Sequence, residues 1–228
     1  MTRYALYFAP YTCARVALTA LCEIGAPFDL RLVRFMKGEH RSSEYLAKNP
    51  AGKVPCLLVD DRPLTENVAI LSYLARTHPH AKLLPFTGDV WADARILSDL
   101  TWCASGLHPL VTRLRLPDFI CDNPGGPERV YELATQAMKQ AFAPAEQRLE
   151  TQQWMLGEWS ILDAYVNWVW FRITGARFDA TAFPALADHA ERHGQRPAVH
   201  AALAREAELQ AQLEAEGLAF VPPSIPNR

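Results

Sequence analysis

Lys53-Val-Pro-Cys-Leu-Leu-Val-Asp-Asp-Arg-Pro-Leu-Thr-Glu-Asn-Val-Ala-Ile-Leu-Ser-Tyr-Leu74 compresses a strand, a hairpin and a helix start around one proline and one acidic pair. Val54 precedes Pro55, which favours an extended backbone and lowers the cost of a cis bond to about 0.5–1 kcal/mol. A cis bond there is expected to turn the N–H and C=O of Val54 outward, where an extended, peptide-like ligand pairs with them as a neighbouring strand does. Thr65 is expected to cap a helix whose first turn carries Glu66 and Asn67, offering free backbone N–H groups to a carboxylate. Glu66 is then placed to hold an ammonium group of the same ligand.

Working outward, Arg3 to Phe8 reads as a strand, and Thr12 to Ile24 as a helix with Val16, Ala17, Ala20, Leu21 and Ile24 at three- and four-residue spacing, ended by Gly25. Phe28 to Val33 gives a second strand and Ser42 to Lys48 a short serine-capped helix. Cys56–Val59 and Arg62–Leu64 form a hairpin over Asp60-Asp61, and Glu66 to Thr77 is a helix. The order β-α-β-α-β-β-α predicts a parallel, right-handed first unit and an antiparallel final pair. His78 to Gly88 reads as a linker. Five segments with helical periodicity follow: Asp89 to Leu116, Pro127 to Thr151, Ser160 to Gly175, Phe183 to Gly194 and Pro197 to Ala215. Ser160-Ile-Leu-Asp163 resembles a capping box, worth about 1 kcal/mol to its helix. The predicted architecture is an α/β domain over residues 1–78 and an all-helical domain over 89–216, with an irregular tail from Val221 to Arg228.

The composition narrows the function classes. Half of the 228 residues are hydrophobic, about a fifth are charged, and the formal net charge is −2. That balance suits a globular protein and offers no basic face for nucleic acid or an anionic membrane. No run of about 18 apolar residues occurs. Five widely spaced cysteines, an odd number with no Cys-x-x-Cys pair, predict reduced thiols in a cytoplasm.

Cys13 is the candidate nucleophile. It follows a strand in Ala9-Pro-Tyr-Thr-Cys13 and falls in the expected first turn of a helix, whose field stabilises an anion. Lowering a thiol pKa of about 8.5 by two units makes most of it thiolate at neutral pH. Cys22, Cys56, Cys103 and Cys121 read as small buried hydrophobes. His108, in Trp102-Cys-Ala-Ser-Gly-Leu-His108, is placed to accept or orient a thiol proton as a neutral imidazole. His189 and His193 share a helix face at the spacing of a metal site, but no third ligand is near, so the pair reads as solvated surface and no metal is expected. Pro10, Tyr11, Trp102, Phe119, Trp168 and Phe171 are candidates for lining an apolar pocket at the domain seam.

Together these residues resemble the cytosolic glutathione transferases, which combine a thioredoxin-like N-terminal domain with an all-helical C-terminal one. The likeness is carried by Asn49-Pro-x-Gly52-x-Val-Pro55, by Leu64-Thr-Glu-Asn67-x-Ala-Ile70, and by Gly157-Glu-Trp-Ser160-Ile-Leu-Asp163-Ala-Tyr165. The last segment looks like that family's folding cap, with a structural role. Tyr7-Phe-Ala-Pro10-Tyr-Thr-Cys13 with His108 is similar to the bacterial beta class, in which a cysteine and a histidine approach the glutathione sulfur. The resemblance implies that Val54, beside Pro55, pairs with the cysteinyl main chain of glutathione. It further implies that Glu66 and Asn67 hold the γ-glutamyl end, and that Lys37 and Lys53 reach the glycyl carboxylate. Asn67 stands where relatives commonly carry serine or glycine, and Pro109 where the beta pattern has lysine. The implied activity is transfer of the glutathione thiolate to a hydrophobic electrophile by a homodimer. The alternatives are thiol-transferase or peroxidase chemistry through a Cys13 mixed disulfide, and a non-catalytic binder.

Overall fold

The computed structural model describes residues 2–220; the tail expected to be irregular, from Val221 onward, lies outside them. Four strands form one mixed sheet: β1 (Tyr4–Phe8), β2 (Phe28–Leu32), β3 (Cys56–Val59) and β4 (Arg62–Thr65), in the order β2-β1-β3-β4. β1 and β2 run parallel with Tyr4 opposite Phe28, as the connecting helix requires. β3 lies antiparallel to β1, and the Asp60-Asp61 hairpin returns β4 antiparallel to β3 with Cys56 opposite Thr65. Every residue of β3 is buried, which explains its continuous apolar run.

Helix α1 (Ala14–Ile24) is buried along almost its whole length. It packs against β1 and α3 (Asn67–Thr77) on the sheet side and against α7 (Ile161–Thr174) and α9 (Pro197–Ala215) on the other. That explains why small Ala14, Ala17 and Ala20 alternate with Val16, Leu18 and Leu21: two layers must approach one helix closely. A short helix α2 (Ser43–Leu46) is capped by Ser42, which accepts the Tyr45 N–H at 3.2 Å.

The helical part comprises α4 (Val90–Thr101), α5 (His108–Arg115), α6 (Gly126–Thr151), α7, α8 (Pro184–Gly194) and α9. The expected single helix from Asp89 to Leu116 is instead two helices joined by a π-helical turn at Trp102–Leu107, where the His108 N–H reaches back to the Cys103 carbonyl. Pro109 supplies the cause. A proline inside an α-helix lacks the N–H and clashes with the carbonyl four residues back, and a wider turn relieves both problems.

Asp163 joins the helical layers. Its Oδ2 accepts the Ser160 N–H at 2.8 Å and the Ser160 hydroxyl at 3.0 Å. Its Oδ1 accepts the Met155 N–H at 2.8 Å and lies 2.9 Å from His189 Nε2. His189 and His193 are therefore core residues, 1% and 2% exposed, and not the solvated pair that their spacing suggests. Leu186, His189 and His193 share the buried face of α8, whereas Arg192 points away toward the Gln153 carbonyl. His193 Nδ1 accepts the Trp159 indole N–H at 3.3 Å, which requires a neutral ring.

Burial, and then neighbouring His189, lower the His193 pKa to about 3. A base with a depressed folded pKa binds its proton more readily when unfolded. Stability from this group is therefore complete above about pH 6.5 and drains away as pH falls toward 3, at up to about 1.4 kcal/mol per pH unit. Urea midpoints measured between pH 7 and pH 4 should fall, and His193→Gln should make that fall shallower. An identical slope in wild type and variant would exclude His193 as a contributor.

Candidate active site

The stretch quoted first supplies one wall of a cavity of about 390 Å³, and the helical part supplies the other. Cys13, Lys53, Val54, Pro55, Glu66 and Asn67 line it from the sheet side. His108, Pro109, Thr112 and Arg113 of α5 line it from the helical side, with Ala104, Ile120 and Tyr165. Two roomier cavities lie elsewhere, one of about 970 Å³ against the Pro79–Gly88 connection, Trp159 and Arg196 and one of about 600 Å³ beside Phe28 and His78, and neither contains any of these groups.

The Val54–Pro55 bond is cis. Local packing holds the loop before it: the Lys53 carbonyl accepts the Tyr45 hydroxyl at 2.6 Å and the Asn49 amide at 2.7 Å. Gly52 has φ +62°, and a Cβ there would meet the His40 carbonyl at 3.0 Å, so glycine is required. Thr65 closes β4 and is not a cap; the residue that opens α3 is Glu66, at φ +68° and ψ +124°. A non-glycine residue in that region costs about 1–3 kcal/mol, which surrounding structure must offset. The turn leaves Glu66 exposed at the cavity edge. Asn67 is buried, and its amide nitrogen donates to the Cys13 carbonyl at 2.9 Å, leaving its Oδ1 unpartnered. Its side-chain donor thus ties α3 to the Cys13 turn, and its free atom is an acceptor.

Cys13 precedes the first residue of α1 and is 9% exposed. Its thiol contacts the Val54 carbonyl at 3.7 Å. The helix start does not make it a ready thiolate. Burial pushes the thiol up to about 12, outweighing the lowering by its own backbone N–H and by Lys53. In the free protein Cys13 is a neutral S–H donor.

His108 stands edge-on to Trp168, ring centroids 4.7 Å apart. Burial, followed by the charges of Lys53 and Arg172, lowers its pKa to about 4, so its imidazole is neutral and able to take a proton. Trp168 is buried and donates its indole N–H to the Tyr11 carbonyl at 3.2 Å. Tyr11 has φ +64°, and its N–H donates to Glu206 of α9, which also receives Arg15 Nε at 2.6 Å. The helical part therefore grips both backbone polar groups of the residue two positions before Cys13.

The other residues singled out from sequence lie off the cavity wall. Lys37 is exposed on a turn after β2, and Pro10 and Tyr11 belong to the loop behind Cys13. Phe171 is partly exposed beneath the Arg15 guanidinium, 3.9 Å from its ring centroid, and Trp102 packs on Gly106. Phe119 is 69% exposed, and its neighbour Ile120 lines the cavity instead. Residues overlooked from sequence are Thr112 and Arg113, on the α5 face that carries His108, and Tyr165. Tyr165 lies one helical turn before Trp168, a spacing that would have placed it on the same wall.

Residues 2–76 match the family model described as glutathione S-transferase, N-terminal domain. A glutathione S-transferase of Xanthomonas campestris pv. campestris is 30% identical, over 93% of this chain and 98% of that protein. A bacterial beta class glutathione S-transferase of Sphingomonas chungbukensis superposes with TM-score 0.77 at 30% identity, over 89% of this chain and 98% of that one. A sphingomonad glutathione S-transferase solved in complex with glutathione gives the same score, identity and coverage. The chain belongs to the glutathione S-transferase family, with a thioredoxin-like sheet unit and a helical remainder.

Proposed function

We propose that this cavity binds reduced glutathione, and that the protein transfers its thiolate to an electrophilic carbon. The observation that carries the reading is the convergence of Cys13, Val54, Glu66 and His108 on one cavity from opposite halves of the chain. The cysteinyl main chain of glutathione pairs with Val54. Its ammonium meets Glu66, its γ-glutamyl carboxylate the open N–H groups at the start of α3, and its glycyl carboxylate Lys53. The neutral His108 accepts the thiol proton. The sulfur then forms a bond to the electrophilic carbon, and the leaving group departs with its electron pair. Cys13, protonated, donates a hydrogen bond to the developing thiolate. Pro10, Trp168 and Phe171 support the Cys13 loop from behind.

Residues 1–78 form the glutathione-binding domain in this reading and 89–216 the helical one. A homodimer is supported by Val90 and Trp91, 84% and 74% exposed at the start of α4, and by half-exposed Leu133 on α6. All five cysteines are free, which suits a reducing cytoplasm. No helix among the described residues is long and apolar enough to cross a membrane.

The test is Cys13→Ala, assayed for glutathione conjugation and for glutathione-dependent disulfide reduction. Losing an S–H donor to the thiolate should lower conjugation by about tenfold, the worth of a hydrogen bond to a charged group, and leave measurable turnover. Conjugation retained in full while disulfide reduction disappears would assign the cysteine to mixed-disulfide chemistry. Both activities unchanged would remove Cys13 from the site.

A further inference from the structure

We propose that the Tyr165 hydroxyl is a second hydrogen-bond donor to the glutathione sulfur, sharing the thiolate with Cys13. This rests on the glutathione-transfer reading above and adds a catalytic residue to the same site. Tyr165 lines the cavity together with Cys13, Asn67 and His108. It stands two residues beyond Asp163, whose capping of α7 fixes the start of that helix. Its ring packs edge-on against Trp168, centroids 6.0 Å apart, and Trp168 in turn stands 4.7 Å from the His108 ring. One side of α7 thus carries the phenol to the Cys13 end of the cavity and braces the imidazole about one turn further on.

The hydroxyl is the unusual part of this residue. Tyr165 is 1% exposed, and a phenol so deeply placed ordinarily finds a partner within the protein. The two other buried tyrosines do: Tyr4 Oη lies 2.8 Å from His78 Nε2, and Tyr45 donates to the Lys53 carbonyl at 2.6 Å. Among the described residues the Tyr165 hydroxyl forms no hydrogen bond. Asn67 lies beside it, but its amide nitrogen is spent on the Cys13 carbonyl and its Oδ1 receives no donor. The neighbouring Cys13 thiol contacts the Val54 carbonyl instead. Nor is the hydroxyl sealed among the orphaned buried atoms, so the little surface that Tyr165 retains is at its Oη, open to the cavity. Burial, and then Cys13, push the phenol well above its ordinary pKa, so at neutral pH it is a donor and not a base. A sulfur anion entering beside Cys13 gives this O–H the acceptor that the protein withholds. A neutral donor in low-dielectric surroundings then stabilises the anion without bringing a charge of its own.

The experiment follows the ultraviolet absorbance of the thiolate in the protein–glutathione complex across pH, with the S-methylglutathione complex as blank. Tyr165→Phe removes one oxygen and keeps the ring. It should raise the apparent pKa of bound glutathione by about one unit, a tenfold loss of thiolate below both values. At neutral pH kcat/KM should fall by about tenfold and recover as pH rises through the shifted pKa. The Kd for S-methylglutathione, which has no thiol to ionise, should not change. Nor should the urea midpoint of the free protein, because the hydroxyl has no partner there to lose. In the Cys13→Ala background the same substitution should add a further shift of similar size, since the two donors act in parallel. The proposal would be overturned, and the transferase reading left intact, by an unmoved pKa or by an equal loss of affinity for glutathione and S-methylglutathione. A lowered midpoint in Tyr165→Phe, or no further shift in the Cys13→Ala background, would overturn it in the same way. Wild-type protein that binds no glutathione would end both readings.

Discussion

Asp163→Ala should lower the unfolding free energy by about 3–5 kcal/mol, the cost of stripping a buried network of its shared acceptor. One carboxylate, fully buried, answers the Ser160 N–H and hydroxyl, the Met155 N–H and the His189 ring. Alanine would strand all of these groups away from water. Asp163→Asn keeps one acceptor oxygen and should lose less. Urea midpoints, with unchanged slope, measure both effects. An alanine variant within about 1 kcal/mol of wild type would mean that water or rearrangement replaces the carboxylate, contrary to a network closed from solvent.

The second large effect is expected at Glu206. Its carboxylate is 2% exposed and bridges α9 to α1 and to the Tyr11 backbone. Glu206→Ala leaves Arg15 as an uncompensated buried charge and should cost about 3–5 kcal/mol. It also frees a left-handed residue two positions before Cys13, so the KM for glutathione should rise by about tenfold, as misplacement of a positioning loop does. Glu206→Gln retains an acceptor for the Tyr11 N–H and should restore KM more fully than stability. An alanine variant with wild-type midpoint and wild-type KM would contradict this role.

The sheet and the sheet-side wall of the cavity were legible in sequence because their determinants are local. A proline after a valine, a hairpin over two aspartates and a helix opening at Glu66 all lie within 22 consecutive residues. The helical wall was legible only to within a residue or two. His108 was recognisable, yet Ala104 and Ile120 line the cavity where Trp102 and Phe119 were expected. The wide turn at Trp102–Leu107 and the 3₁₀ turn at Pro117–Phe119 both break the regular spacing that the expectation assumed. Spacing four apart identifies one face of a helix but not whether it meets water, which is why His189 and His193 were misplaced. The Cys13 thiol was misjudged because a helix field can be read from sequence, whereas the loss of water around a sulfur cannot. Glu206 and Arg15 are 191 positions apart, and nothing in their neighbours announces the contact.

The π-helical turn before His108 works as an angular offset. A regular α-helix advances about 100° per residue, so one residue accommodated in a wider coil rotates everything downstream by that amount relative to a straight continuation. The imidazole meets the Cys13 cavity only because the rod was re-clocked just ahead of it. The orientation of the imidazole is therefore stored in the winding of six upstream residues, and Pro109 is what maintains that winding.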